Sequence, residues 1–300
     1  MHLQTTAKPL FFKDTRSLET VNCDGNLFNL SSLNEFQHPI RSFGFGIKYV
    51  NEGTELYTVG NKQFFVKQGN YLLLNSSKDA SVTIDSREYV KGMCINISNE
   101  LIASAVASLR APDTPFSDNE LADFFYTNQF LENQYLSHST SLGNFLNSIN
   151  EQVKAQVFSS EQVNHELFYS LAERLVMDQT AVFKQLQNIP TVKAETKREL
   201  FRRIQQGKTF IDAHFTESLT IDRIAREAGM SEFHFFRLFK QTIGASPYQY
   251  LLSIRLKQAV ELLKADYSVS VVAHSIGFAD IQSFSKAFKK HFGCAPSQFL

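Results

Sequence analysis

The last hundred residues contain a phrase written twice, and no other feature of the chain restricts its fold as strongly. At an offset of 49, Phe235 matches Phe284, Phe239 matches Phe288, Lys240 matches Lys289, Gly244 matches Gly293, Pro247 matches Pro296 and Gln249 matches Gln298. Upstream the offset is 48, pairing Ile221 with Val269, Ile224 with Val272, Ala225 with Ala273 and Gly229 with Gly277. Each copy reads as helix, glycine turn, helix. In the first, Thr220 is placed to cap one helix and Gly229 to end it; Ser231 then caps a second that Gly244 stops. In the second, Ser268 or Ser270, Gly277, Asp280 and Gly293 take the same parts. Two short helices joined by a tight turn form a helix-turn-helix, whose second helix enters the DNA major groove with its N-terminal residues toward the bases.

Helical spacing sorts the side chains of the two second helices. Phe235, Leu238, Phe239 and Thr242 share one face, as do Phe284, Ala287, Phe288 and His291 with Phe292 beside them, and these faces are expected to be core. The opposite faces present Phe233, Phe236, Arg237 and Lys240 in the first helix. In the second they present Ile281, Gln282, Ser283, Lys286, Lys289 and Lys290. Arg237 can take a guanine edge in bidentate fashion, Gln282 an adenine edge, and Phe233, Phe236 or Ile281 a thymine methyl. Lys240, Lys289 and Lys290 suit phosphates. Between the copies, the helix about 247–265 places Leu256, Val260 and Leu263 on one side, as a connector buried against both units should.

Charge supports the same division. The whole chain is formally neutral, yet residues 1–189 hold 14 Lys and Arg against 20 Asp and Glu, while residues 190–300 hold 16 against 10. The basic third fits a polyanion partner.

Upstream, residues 43–97 consist of short runs rich in β-branched and aromatic residues, cut by Asn-Glu-Gly and Gly-Asn turns. They predict an antiparallel β domain. Helical periodicity follows from Asn99 to about Leu186, interrupted by a proline-bearing loop from Ala111 to Glu120. Val163, Leu167, Leu171 and Leu175 form a stripe suited to a core or to a dimer contact. Pro190 and the polar residues after it read as a linker. The three cysteines, Cys23, Cys94 and Cys294, are far apart and suggest neither a disulfide framework nor a metal motif. No run of about 18 apolar residues and no cleavable leader is present, so a soluble, cytoplasmic protein without a membrane partner is expected.

Two helix-turn-helix units separated by "SPYQYLLSIRLKQAVELLKAD", with "SIGFAD" and then "FSKAFKKHFGCAPSQF" closing the chain, resemble the DNA-binding domain of AraC/XylS-type transcription regulators. The resemblance implies base reading from Phe233, His234, Phe236, Arg237, Ile281, Gln282, Ser283 and Lys286, with His234 added to the residues the helical faces select. Phe236 stands where a polar reader is common in that family, and Lys286 where arginine is common. The resemblance also implies a bacterial regulator, most often an activator, that meets RNA polymerase on double-stranded DNA. Its β-rich front is similar to the cupin-like barrel that senses a small molecule or mediates homodimer formation.

The expected architecture is therefore α+β and multi-domain. A β-rich cupin-like sensing domain spans 1–115, a helical connector or dimerisation region 116–190, a linker 191–199, and an all-α DNA-binding domain 200–300. Within the last, the helix-turn-helix motifs fall at about 220–243 and 268–292. A cupin-type metal enzyme fused to a DNA-binding tail is the alternative from another class, and a helical protein-interaction module a third. Residues 43–97 contain no histidine to ligate a metal, and His38 stands alone outside them. Neither catalysis nor a cofactor is expected, and the ligand-binding residues are not legible.

Overall fold

The computed structural model describes residues 8–40, 44–75, 79–108, 118–127, 130, 132–191 and 193–299. The expected boundary at 115/116, and most of the proline-bearing loop before it, lie outside these residues. The chain divides into two compact units, residues 1–184 and 185–300.

The first unit is built on antiparallel strands β1 (Ser17–Cys23), β2 (Asn26–Ile40), β3 (Phe45–Glu52), β4 (Thr54–Val59), β5 (Lys62–Lys67), β6 (Asn70–Asn75) and β7 (Ala80–Ile97). Helices α1 (Asn99–Ser108) and α2 (Asp118–Tyr126) follow, then strand β8 (Asn133–Leu136) and helices α3 (Ser141–Lys154) and α4 (His165–Gln187). β structure thus begins well before Phe43. The region expected to be purely helical also returns one strand to the sheet, since β8 pairs with β6. Four residues, Asn-Gln-Tyr-Leu, are too short a run for periodicity to separate strand from helix.

The long strands β2 and β7 form the spine of the sheet. The first half of β2 pairs with the second half of β7, and beyond a register shift at Leu33/Glu35 the remaining halves pair in turn. β3 continues the sheet from the second half of β7, and β4 from the first. The strand order β1-β2-β7-β3-β6-β8, with β5 attached through β4, is an open path. An antiparallel sheet is what was expected; hydrogen bonds do not close it into the expected barrel.

Between the branches sits a core that includes Leu33, Val50, Tyr57, Val66, Leu72 and Ile84. Alternation along β4, with Glu55, Tyr57 and Val59 buried, shows the period-2 pattern of a half-buried strand. α3 is tied to the sheet by Tyr49 Oη donating to Asn147 Oδ1 at 2.7 Å and by Tyr71 Oη with Thr140 Oγ1 at 2.8 Å. Val163, Leu167, Leu171 and Leu175 are all buried, so within the chain this stripe serves as core.

The second unit is all helical: α5 (Ala194–His214), α6 (Ile221–Glu227), α7 (Glu232–Ile243), α8 (Pro247–Lys264), α9 (Val269–Ser275) and α10 (Ile281–Phe292). The segment 191–199, expected as linker, is helical from Ala194 onward. Its run of Glu, Lys and Arg is polar, but these residues are good helix formers, and Phe201 and Ile204 anchor the helix to the core beyond.

Candidate nucleic-acid interface

The caps read from the sequence define both motifs. Thr220 accepts from the Arg223 amide at 3.3 Å, Ser268 from Val271 at 3.4 Å, and Asp280 from Ser283 at 2.7 Å. Ser268, rather than Ser270, is thus the cap of α9. Ser231 occupies the N-cap of α7, but its side chain makes no capping bond. Gly229, Gly244, Gly277 and Gly293 all have positive φ, between +63° and +84°, the region that costs other residues about 1–2 kcal/mol.

Each motif has its own apolar core, and the linking helix serves both. Phe235, Leu238 and Phe239 of α7 pack with Ile204 and Ile211 of α5, Ile224 and Ala225 of α6, and Leu251 of α8. Phe284 and Phe288 of α10 pack with Val272 and Ala273 of α9 and with Leu256, Ala259 and Leu263 of α8. Val260 of α8 is partly buried in that second core. Close approach of α5 to α7 requires Gly207, because a Cβ there would lie 2.4 Å from the Phe235 ring. The terminal Pro296 is buried, and Phe299 meets Phe288 edge-on at 5.2 Å, closing the second core. Thr242 is buried as its face required, whereas Ala287 is only half-buried and His291 is exposed. His291 lies in the last turn of α10, where Phe292 rather than His291 packs on the core, against Phe288 and Phe299, and His291 meets the Phe292 ring from outside.

Two polar clusters position these helices, and sequence reasoning did not select either. Arg255 of α8 donates from Nε to Phe215 O at 2.6 Å and from Nη2 to Glu217 O at 2.7 Å, while its guanidinium lies 5.8 Å from the Phe278 ring. It therefore joins the loop before α6 to the turn of the second motif, and burial lowers its pKa. The available signal was an arginine in the middle of an otherwise core-forming helix. Buried Asp212 accepts from Tyr250 Oη at 2.7 Å and pairs with Lys208 at 3.0 Å, tying α5 to α8. Burial, with the Asp212 carboxylate beside it, pushes the Tyr250 hydroxyl far above its ordinary pKa.

On the outer faces the structure leaves nearly every sequence-selected residue accessible. Phe233 is 78% exposed, Ile281 40% and Phe236 37%. Arg237, Gln282, Ser283, Lys286, Lys240, Lys289 and Lys290 are exposed as well, and only His234 is intermediate. Gln282, Ser283, Lys286 and Lys289 line one surface groove together with Asp280 and Ala295. Among the described residues, Arg237, Lys240, Lys286, Lys289 and Lys290 have no carboxylate partner. Arg202, Arg203, Arg223 and Arg226 elsewhere in the unit are all paired. Leaving large apolar side chains in water-facing positions stabilises nothing, and five cations unneutralised around two such faces suit an anionic, groove-bearing partner.

For metals, the described residues bring Cys23, Asp24 and His165 of the first unit together, their ligand atoms lying within 4.8 Å of one another. The Asp24 carboxylate already pairs with His165 Nε2 at the surface. His38 is part of β2, inside the β region after all, with Phe36 as its ring neighbour at 5.8 Å. No helix among the described residues is long and apolar enough to cross a membrane.

Comparison with known proteins agrees with this geometry. Residues 224–300 match the family model described as a helix-turn-helix domain. The Msm operon regulatory protein of Streptococcus mutans is 33% identical over 97 residues, and the lactose operon transcription activator of Staphylococcus xylosus 32% over 97. Each alignment covers 32% of this chain and 35% of the relative, so the match spans about a third of their length. The C-terminal domain of AraT, a response regulator from Geobacillus stearothermophilus, is 30% identical over 32% of this chain and 82% of its own, with a TM-score of 0.32. The C-terminal part of this chain is thus an AraC-type helix-turn-helix domain, similar to the one these regulators carry.

Proposed function

We propose that the protein is a sequence-specific transcription regulator that places α7 and α10 in successive major-groove segments on one face of double-stranded DNA. The observation that carries this is the pair of solvent-facing helix surfaces bearing unpaired cations beside exposed apolar rings. In B-DNA such segments recur about every 34 Å, and α8 supports both motifs from one rigid rod. Phe233, His234, Phe236 and Arg237 would read one segment and Ile281, Gln282, Ser283 and Lys286 the other, with Lys240, Lys289 and Lys290 on phosphates.

The relatives' names include an activator, and activation through RNA polymerase is the mode proposed here. The first unit, residues 1–184, is proposed as a cupin-like sensing domain that binds a small molecule or pairs two chains, and the cytoplasm as the site of action. A ligand can bias DNA binding only if it binds two states with different affinity. Selection of bound DNA from a random pool with the full chain should enrich a bipartite motif of two half-sites about one helical turn apart. Recovery of DNA without sequence preference would refute base reading by these helices.

A further inference from the structure

The branched sheet of the first unit lines an open cavity of about 290 Å³. Its walls differ from end to end. Asn29 of β2, Cys94 of β7 and Lys48 of β3 pair in one rung across three strands, so their side chains share a face. Lys48 is only 2% exposed. Its ammonium, with three protons to give, meets the Cys94 sulfur and, at 3.4 Å, the Asn96 amide oxygen. Among the described residues no carboxylate lies within ion-pair distance of it. Burying a charge against such weak acceptors is costly unless an anion joins it.

The surroundings indicate which anion. Asn29 Oδ1, beside the same rung, is buried with no donor. Glu55, also buried and lining the cavity, accepts from Tyr57 Oη at 2.5 Å; burial raises its pKa, against the opposing pull of the Tyr57 hydrogen bond and of the Lys48 charge. Glycine clears space beside both charged groups. A Cβ at Gly92 would lie 2.7 Å from Glu55 Oε1, and one at Gly46 would lie 3.3 Å from Lys48 Cε. The other end of the cavity is walled by Leu33, Phe36, Ile40, Val82 and Ile84. At ~30 Å³ per water-sized group, the volume holds roughly ten heavy atoms.

We propose that this cavity binds a small 2-hydroxycarboxylate with a short aliphatic chain. The carboxylate sits on Lys48 Nζ, the hydroxyl donates to Asn29 Oδ1, and the chain lies along Ile40, Val82 and Ile84. The assignment rests on the sensing role proposed above for residues 1–184 and names the chemistry of that signal.

The test is calorimetric titration of the full chain with 2-hydroxyhexanoate, hexanoate, 1,2-hexanediol and hexylamine. The hydroxy acid should bind at least about tenfold more tightly than the neutral diol, since a buried charge-assisted hydrogen bond is at stake. Hexanoate should fall between them, and the amine should not bind. Lys48→Met should remove the preference of acid over diol. Ile40→Trp, which fills the apolar end without touching Lys48, should weaken both, and this keeps the proposal open to refutation if the Lys48 variant does not fold. Equal affinity for acid and diol, or no binding of either acid, overturns the proposal. DNA affinity is read separately: an acid that binds in the Lys48-dependent manner without changing DNA affinity upholds the site and refutes the sensing role.

Discussion

Three glycines of the DNA-binding unit share one backbone conformation, yet one should be far less replaceable than the others. Gly244, Gly277 and Gly293 have φ of +83°, +84° and +83°. Alanine at any of them incurs the left-handed penalty of about 1–2 kcal/mol. At Gly244 and Gly293 nothing lies within 4 Å of the new Cβ, so the cost stops there. At Gly277 the Cβ would stand 2.3 Å from Thr216 O and 2.9 Å from Arg255 Nη2, against ordinary contacts of 3.4–4 Å. The turn must retreat by about 1 Å from a backbone carbonyl, disturbing the Arg255 bonds to Phe215 O and Glu217 O. Losing one such charged hydrogen bond costs about 1.5–3 kcal/mol, giving a total of about 2.5–5 kcal/mol for Gly277→Ala. Amide hydrogen exchange read over residues 205–299 of the full chain isolates this unit's opening free energy from that of the first unit. Because the contact joins the two motifs, Gly277→Ala should also weaken DNA carrying both half-sites more than DNA carrying one. If the three alanine variants lose the same protection, the reasoning from the Thr216 contact is wrong.

Other perturbations separate the proposed roles. Arg237→Ala should cost about 1–3 kcal/mol on the selected site and relax one base position in competition binding, and equal losses on random DNA would remove it from the readers. Lys290→Ala should weaken all sequences alike and lower the slope of log affinity against log salt by about one, measured by fluorescence anisotropy across a salt series. Phe284→Ala should destabilise the second motif by about 3–5 kcal/mol, visible as lost exchange protection in α9 and α10 and little change in α7. Asp280 carries a pKa held below the ordinary carboxylate value by the Ser283 amide. Its capping contribution is therefore complete above the unfolded carboxylate's pKa and disappears as pH falls through the lower folded value. Asp280→Asn, which still caps, should flatten that acid-side fraying of α10 in exchange measurements.

The two motifs were legible because everything that defines them is local. Thr220, Gly229, Gly244, Ser268, Gly277, Asp280 and Gly293 act within a turn of their own position, and helical period alone puts Phe235 and Phe284 inward with Arg237 and Gln282 outward. The exposed face was readable for the same reason: a helix seven to twelve residues long with one packed side has only one side left. Where locality failed, so did the reading. His291 was assigned inward by spacing, but the inward place in that last turn goes to Phe292, because Phe299 from beyond the helix packs on it there. The four-residue strand β8 became a strand only because the edge of β6 was free to pair with it.

Composition, capping and period thus determined by themselves that this chain ends in a duplicated helix-turn-helix with a basic outer surface. Tertiary structure decided the rest, because it depends on residues distant in sequence meeting at fixed separations. Arg255 bridges the motifs only once α8 crosses the loop at Phe215 and Glu217, 38 to 40 positions away. Lys48 becomes a buried cation in a cavity only once β3 lies beside β7, 46 residues further on, placing it against Cys94. No periodicity encodes that register, since it is set by which strand edges pair and which side chains are shut away from water together.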